Sequence, residues 1–113
     1  MEQNTFLVSL SVEQAAQKIH SAVVDGSITG ELLDRYVIQG HAGEFCVVAV
    51  YEKHYWRAGN RLTLTVTLDN LTGHTRVHCV GGGGGEGLFR FDWGAASSFS
   101  SLVYDCLCEY VIG

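Results

Sequence analysis

A strict alternation of apolar and threonine residues is the clearest structural signal along the chain. Leu62, Leu64, Val66 and Leu68 alternate with Thr63, Thr65 and Thr67. Because successive side chains of a β-strand point to opposite faces of its sheet, the pattern predicts a strand from Arg61 to Asp69. One face of that strand is buried, and the threonine face meets water or a partner.

Segments rich in β-branched and aromatic residues predict further strands on both sides. The predicted set is Thr5–Leu10, Leu32–Gln39, Glu44–Tyr55, Arg61–Asp69, Thr75–Val80 and Leu88–Trp93. Glycine-containing turns of a few residues separate the middle strands, at Gly40–Gly43, Ala58–Asn60 and Asn70–Gly73. Such short connections favour antiparallel hairpins over crossovers.

Two segments carry apolar residues at helical spacing instead. Ser11 and Gln14 form a capping-box signature before an amphipathic stretch from Val12 to Val24. Asp25-Gly26 ends this helix, with the glycine predicted to take a left-handed turn. A second helix carries apolar residues at three- and four-residue steps from Phe99 to Val111, with Ser97 or Ser98 as its cap.

The order of elements predicts the α+β class. A strand, a helix, a run of antiparallel strands and a second helix together form a two-layer sandwich. We expect a mostly antiparallel sheet of five to six strands, with both helices on one face. No linker or repeat divides the 113 residues, so residues 1–113 are expected to form a single domain.

Composition narrows the class of protein. Hydrophobic residues make up 47% of the chain and charged residues 17%, with a net charge of −5. This balance is typical of a folded globular domain and argues against nucleic acid as a partner, because phosphate binding needs a cationic surface. A run of about 20 apolar residues, as a membrane span requires, is not present, nor is a basic leader. We therefore expect a soluble, cytoplasmic protein with no membrane partner.

The four cysteines, Cys46, Cys79, Cys106 and Cys108, lie mostly among apolar neighbours. Without an export signal they are interpreted as free, buried thiols rather than disulfides. A metal site is not expected, because His74 and His78 would lie about 13 Å apart on a strand, and the chain has no Cys-x-x-Cys motif. We likewise expect no cofactor.

The run Gly81–Gly85 is the most unusual segment. With Gly87 it satisfies G-x-G-x-x-G, but a dinucleotide site needs a helix directly after the glycines. Here the alternating Leu88–Phe91 follows, which predicts a strand. Three interpretations stay open: a hairpin loop, a strand left bare so that another backbone can approach, and an anion site of loop amides.

Charged residues on neighbouring predicted strands form a second candidate. Arginines beside Asp92 could hold a small anion through bidentate contacts, or could form cross-strand salt bridges on a wet face. The predicted ligand-binding residues are Gly83, Gly84, Gly85, Arg76, Arg90, Asp92 and Trp93. No catalytic residue is assigned, because the serines from Ser97 to Ser101 do not form a nucleophile motif.

A series of segments resembles a known family. It comprises Arg57–Leu64, Thr75–His78, the glycine run and Phe91-Asp92-Trp93-Gly94-Ala95. The series is similar to a family of small uncharacterised bacterial proteins, a domain of unknown function, over nearly the whole chain. The resemblance implies a bacterial, cytoplasmic, stand-alone domain and no particular activity. The element order also resembles helix-grip folds, in which a sheet and a C-terminal helix enclose a ligand cavity.

Three functions follow from these observations. The first is a non-catalytic module that self-associates, as a homodimer, or senses a ligand. The second is a binding protein for a small anionic ligand, with its pocket between the sheet and the C-terminal helix near the glycine run. The third is a small enzyme that uses Asp92, Glu86 or His78 as acid or base.

Overall fold

A computed structural model describes residues 5–26, 30–55, 60–83 and 101–112 of the protein. These residues form five antiparallel strands and two helices, which confirms the α+β class. In chain order the elements are β1 (Thr5–Val8), α1 (Val12–His20), β2 (Glu31–Gln39), β3 (Phe45–Tyr55), β4 (Asn60–Asp69), β5 (Thr75–Gly83) and α2 (residues 101–107).

The strands lie in the order β1-β5-β4-β3-β2, and every neighbouring pair is antiparallel. From β2 to β5, strands that follow one another in sequence are also neighbours in the sheet, as the short turns predict. The turn between β2 and β3 places Ala42 and Gly43 at φ 55° and 83°. This left-handed pair matches the twist of a hairpin. The first strand in sequence, β1, forms one edge of the sheet, and β2 forms the other.

The alternation of β4 is confirmed. Leu62, Leu64, Val66 and Leu68 are at most 1% exposed, whereas the intervening threonines are half-buried. A single hydrophobic cluster joins this inner face of the sheet to Ile19 of α1 and to Val103 and Leu107 of α2. The removal of this apolar surface from water stabilises the fold.

The start of α1 is the capping box that the sequence predicts. The Gln14 amide donates to Ser11 Oγ, and the Ser11 amide donates to Gln14 Oε1, both at 3.1 Å. The helix continues as a π-helical turn over Ser21–Asp25 and ends at Gly26. The predicted left-handed turn is wrong, since Gly26 has φ −89°. Glycine is needed there for space: a Cβ would lie 2.8 Å from the Ala22 carbonyl oxygen.

The glycine run does not begin as a loop, because β5 continues beyond the predicted end at Val80. Gly81, Gly82 and Gly83 pair with Leu64, Thr63 and Leu62 of β4. Backbone hydrogen bonds need no side chain, so glycine can still serve as a strand residue. A Cβ on Gly82 would lie 3.4 Å from Thr63 Oγ1, in van der Waals contact, so lack of space does not by itself require glycine there.

The C-terminal segment also ends differently. Helix α2 is followed by a 3₁₀ turn at Cys108–Tyr110. The predicted helical position of Val111 is wrong, since Val111 is extended and forms a bridge with Val8 of β1. The predicted sixth strand Leu88–Trp93 and the caps Ser97 and Ser98 lie outside the described residues. Among the described residues, no helix has the length and apolar character needed to cross a membrane.

Candidate ligand-binding cleft

The helices cover the inner face of the sheet unequally. Helix α1 packs on β3 and β4, and α2 lies near β1, where the rings of Phe6 and Tyr104 meet edge to face at 5.1 Å. The inner-face residue Val37 of β2 lies opposite the buried Val47 of β3, yet is 42% exposed. A cleft of about 350 Å³ therefore opens between α1 and the β2–β3 side of the sheet.

The floor of the cleft is apolar. It is formed by Ala16, Ile19, Leu32, Val47, Ala49, Val66 and Leu68. The volume lies at the lower end of the range for small-molecule sites, about 300–1,000 Å³. An apolar floor of this kind binds the hydrocarbon or ring portion of a ligand through the hydrophobic effect.

A tyrosine–histidine pair supplies polar groups to this floor. Tyr51 Oη and His20 Nδ1 lie 3.2 Å apart and share a hydrogen bond, and the two rings are tilted by 51°. Tyr51 is only 3% exposed, and its burial raises the pKa of the phenol, while the nearby Arg35 guanidinium lowers it. The hydroxyl therefore stays protonated at neutral pH and serves as a donor or acceptor.

Arg35 is the cation of the cleft. It occupies an inner-face position of β2, opposite Ala49 of β3. Its side chain is exposed, and among the described residues no carboxylate forms an ion pair with it. Glu13 and Gln17 of α1 line the same cleft. A guanidinium that forms no ion pair with the described residues, Glu13 included, and lies beside an apolar floor suits the charged end of an anionic ligand.

The structure gives Arg76, a predicted ligand-binding residue, a partner within the protein. Its Nε donates to Asp69 Oδ2 at 3.1 Å and its Nη2 donates to Asp69 Oδ1 at 3.0 Å. Asp69 is 7% exposed, and the pair lies on the face of the sheet opposite the cleft. This is the cross-strand salt bridge that the sequence left open as the alternative.

Most of the other predicted site residues lie outside the residues that the structure describes. Gly83 is the last residue of β5. Gly84, Gly85, Arg90, Asp92 and Trp93 lie outside the described residues, as does Glu86. His78 shares the face of Arg76 and lies 2.7 Å from the Thr5 hydroxyl. A site at the glycine run therefore stays a prediction.

The cysteines are free thiols, as predicted, but only Cys79 is fully buried. Cys46 and Cys106 are half-buried, and Cys108 is exposed. Burial raises the pKa of Cys79 and of Cys106 to about 11, so both thiols are protonated at neutral pH. Within the described ranges, histidine, cysteine and carboxylate side chains do not form a group that could hold a metal ion.

Sequence reasoning missed Arg35, Tyr51 and His20. They come from β2, β3 and α1 and form no motif along the chain. One signal was available for Arg35. It lies two residues before Val37 in the predicted strand Leu32–Gln39, so the strand places its charge on the same face as an apolar residue.

Comparison with known proteins gives a family but no activity. A protein-family model described as a family of unknown function (DUF6054) matches residues 1–111. No curated protein and no solved structure matches the chain.

Proposed function

Since the chain belongs to this family of unknown function, we propose from its geometry that it is a non-catalytic module that binds a small anionic ligand. The cleft between α1 and the β2–β3 side of the sheet is the binding site. The observation that carries the proposal is Arg35, an exposed guanidinium without an ion-pair partner among the described residues, beside an apolar floor. We place this module in the bacterial cytoplasm on the resemblance of its sequence.

Each of the three parts of the site binds a different part of the ligand. The charged group of the ligand, a carboxylate or a phosphate, meets the fork of Arg35. Its apolar body lies on the floor around Ile19 and Val47. A hydroxyl or carbonyl of the ligand can bond the Tyr51–His20 pair, whose atoms are 3.2 Å apart. A short fatty acid or an aromatic acid combines such a charged group with such an apolar body.

The test measures binding of octanoate, and of the uncharged octanamide as its matched neutral probe, by isothermal titration calorimetry. Octanoate should bind more tightly than octanamide. Arg35→Gln should weaken octanoate binding about 10- to 100-fold, as the loss of a charge-assisted hydrogen bond does, and leave octanamide unchanged.

The control is Arg61→Gln. Arg61 is exposed, lies on the opposite face of the sheet and is 3.6 Å from Glu52. A second variant, Ala16→Trp, should fill the cleft and abolish binding of both probes. The proposal is wrong if neither probe binds, or if Arg35→Gln and Arg61→Gln have equal effects.

Self-association is a second candidate function. The observation in its favour is the edge strand β2, whose large apolar side chains are exposed on both faces of the sheet. The exposed fractions are 60% for Tyr36, 42% for Val37 and 48% for Ile38. An exposed apolar edge strand is a template for pairing with another chain. Sedimentation equilibrium that shows only monomer at the highest soluble concentration would eliminate this candidate.

A further inference from the structure

We infer that β2 pairs antiparallel with β2 of a second copy, about a two-fold axis at Val37, to form a continuous ten-stranded sheet. This inference rests on the proposed self-association and not on ligand binding in the cleft.

The hydrogen bonds of β3 show which backbone groups of β2 face outward. Phe45 of β3 bonds Asn70 with both its backbone groups: its amide donates to Asn70 Oδ1 at 2.9 Å, and its carbonyl accepts from the Asn70 amide at 3.4 Å. The backbone of Phe45 is therefore turned away from its β2 partner, Gln39. In an antiparallel ladder this direction alternates from residue to residue, so Cys46 and Val48 turn their backbone groups toward β2.

The partners of Cys46 and Val48 on β2 are Ile38 and Tyr36. The alternate residues of β2, Arg35, Val37 and Gln39, then direct their amides and carbonyls to the open edge. Within the described parts of the chain, no segment pairs with this edge. The register of β2 shifts only between Leu32 and Asp34, so the segment from Asp34 to Gln39 is a regular ladder.

The position of the two-fold axis determines the register of the paired strands. A two-fold axis perpendicular to the sheet leaves the inner face of both copies on the same side of the joined sheet. Inner-face residues therefore lie opposite inner-face residues, and outer-face residues opposite outer-face residues. With Val37 on the axis, it lies opposite its own copy, Tyr36 lies opposite Ile38, and Arg35 lies opposite Gln39. Each of these pairs matches apolar with apolar or polar with polar, and about six hydrogen bonds join the edges.

The neighbouring registers are worse for identifiable reasons. An axis at Arg35 places two guanidinium groups opposite each other, and an axis at Tyr36 places Asp34 opposite Ile38. Like charges that face each other and a charge against an apolar side chain both disfavour pairing. The Val37 register also buries the three most exposed apolar side chains of the regular ladder. The two clefts then lie on one face of the joined sheet.

The experiment compares the dimer dissociation constants of variants by sedimentation equilibrium. Val37→Lys places two ammonium groups on the axis and should weaken the dimer at least about 100-fold. Val37→Pro removes the outward amide of Val37 but no hydrogen bond of the β2–β3 ladder. It should therefore also give a folded monomer, as judged by circular dichroism. Val37→Thr, which keeps the amide and the β-branched shape, should still dimerise.

The control is Val80→Lys. Val80 is 49% exposed on the outer face of β5, beside the threonines of β4, and its replacement should leave the dimer intact. If Val80→Lys dissociates the dimer and Val37→Pro does not, the copies associate through the threonine face and edge pairing is wrong. A wild-type protein that is monomeric at all concentrations would overturn self-association itself, while octanoate binding is measured separately.

Discussion

Each edge strand of the sheet, β1 and β2, has one side that no other strand of the sheet pairs with. The described residues of the chain cover this side in β1 but not in β2. At the β1 edge, the C-terminal residues cover the strand: the Ser9 amide donates to the Tyr110 carbonyl at 2.8 Å, and the Ile112 amide donates to the Leu7 carbonyl at 2.9 Å. At the β2 edge, no described residue plays this part. An unpaired edge is prone to association, so covering one edge restricts pairing to the other.

The same contrast extends to the side chains. Phe6 and Val8 of β1 are 5% and 1% exposed, because α2 and its following turn lie over them. Residues from Leu33 to Gln39 of β2 are all exposed. The lesson is that an edge strand joins the core only where a helix or the chain terminus covers it. No described residue covers the β2 edge, which leaves its inner face for the proposed ligand and its backbone for the proposed partner.

The largest expected difference between the edges is in core packing. Phe6→Ala should lower the free energy of unfolding by about 3–5 kcal/mol, because it leaves a cavity against Tyr104. Val37→Ala, at concentrations where the protein is monomeric, should change it by less than about 1 kcal/mol. Urea unfolding followed by circular dichroism measures both. Equal losses of unfolding free energy in the two variants would contradict the difference in packing between β1 and β2.

A proline substitution at each edge tests the backbone amide alone and should give a smaller difference in unfolding free energy. Ile112→Pro removes the amide that bonds Leu7 and should cost about 1 kcal/mol. Val37→Pro removes an amide that has no partner among the described residues of the monomer, so its unfolding free energy should stay closer to that of wild type. Ile112 is 51% exposed, which keeps packing losses small. If Val37→Pro lowers the unfolding free energy of the monomer more than Ile112→Pro does, the Val37 amide of β2 is bonded within the chain.

A further expected effect is a dependence of stability on alkaline pH. Cys79 of β5 and Cys106 of α2 have their pKa raised to about 11 from the ordinary value of 9.0, chiefly by burial. Below pH 9 the folded and unfolded states both hold these protons. Between pH 9 and about 11 the unfolded chain loses them first, so the free energy of unfolding falls as pH rises.

Urea unfolding on either side of pH 9 measures this slope. Cys79→Ala should flatten it, because one of the perturbed thiols is gone. Cys108→Ala is the control, since Cys108 is exposed, and it should keep the wild-type slope. If the two variants flatten the slope equally, burial under α2 is not its cause.

Much of the fold could be predicted because its signals are local. The alternation in β4 determines which side chains are buried, and Ser11 with Gln14 determines where α1 begins. Two of the errors arise where a residue distant in sequence decides the structure. Pairing with β4 extends β5 into the glycine run, and the bridge to Val8 of β1 takes Val111 out of the helix.

The cleft differs from the site that the sequence predicts, most of which lies outside the described residues. Arg76 was singled out because it follows β4 on an adjacent strand, and the structure shows it paired with Asp69. The arginine that lines a cleft, Arg35, lies in a strand whose inner face the sequence would place in the core. Whether a helix covers that face depends on where α1 crosses the sheet, which no spacing along the chain records.

The sequence by itself determined most of the elements, the buried faces of β4 and α1 and the antiparallel hairpins, because periodicity, caps and turns act over a few residues. Only the tertiary structure decided that β1 is covered, that no described residue covers β2, and that Arg35, Tyr51 and His20 line one cleft. Those outcomes depend on contacts between residues far apart in the chain, where packing and backbone pairing override local preference.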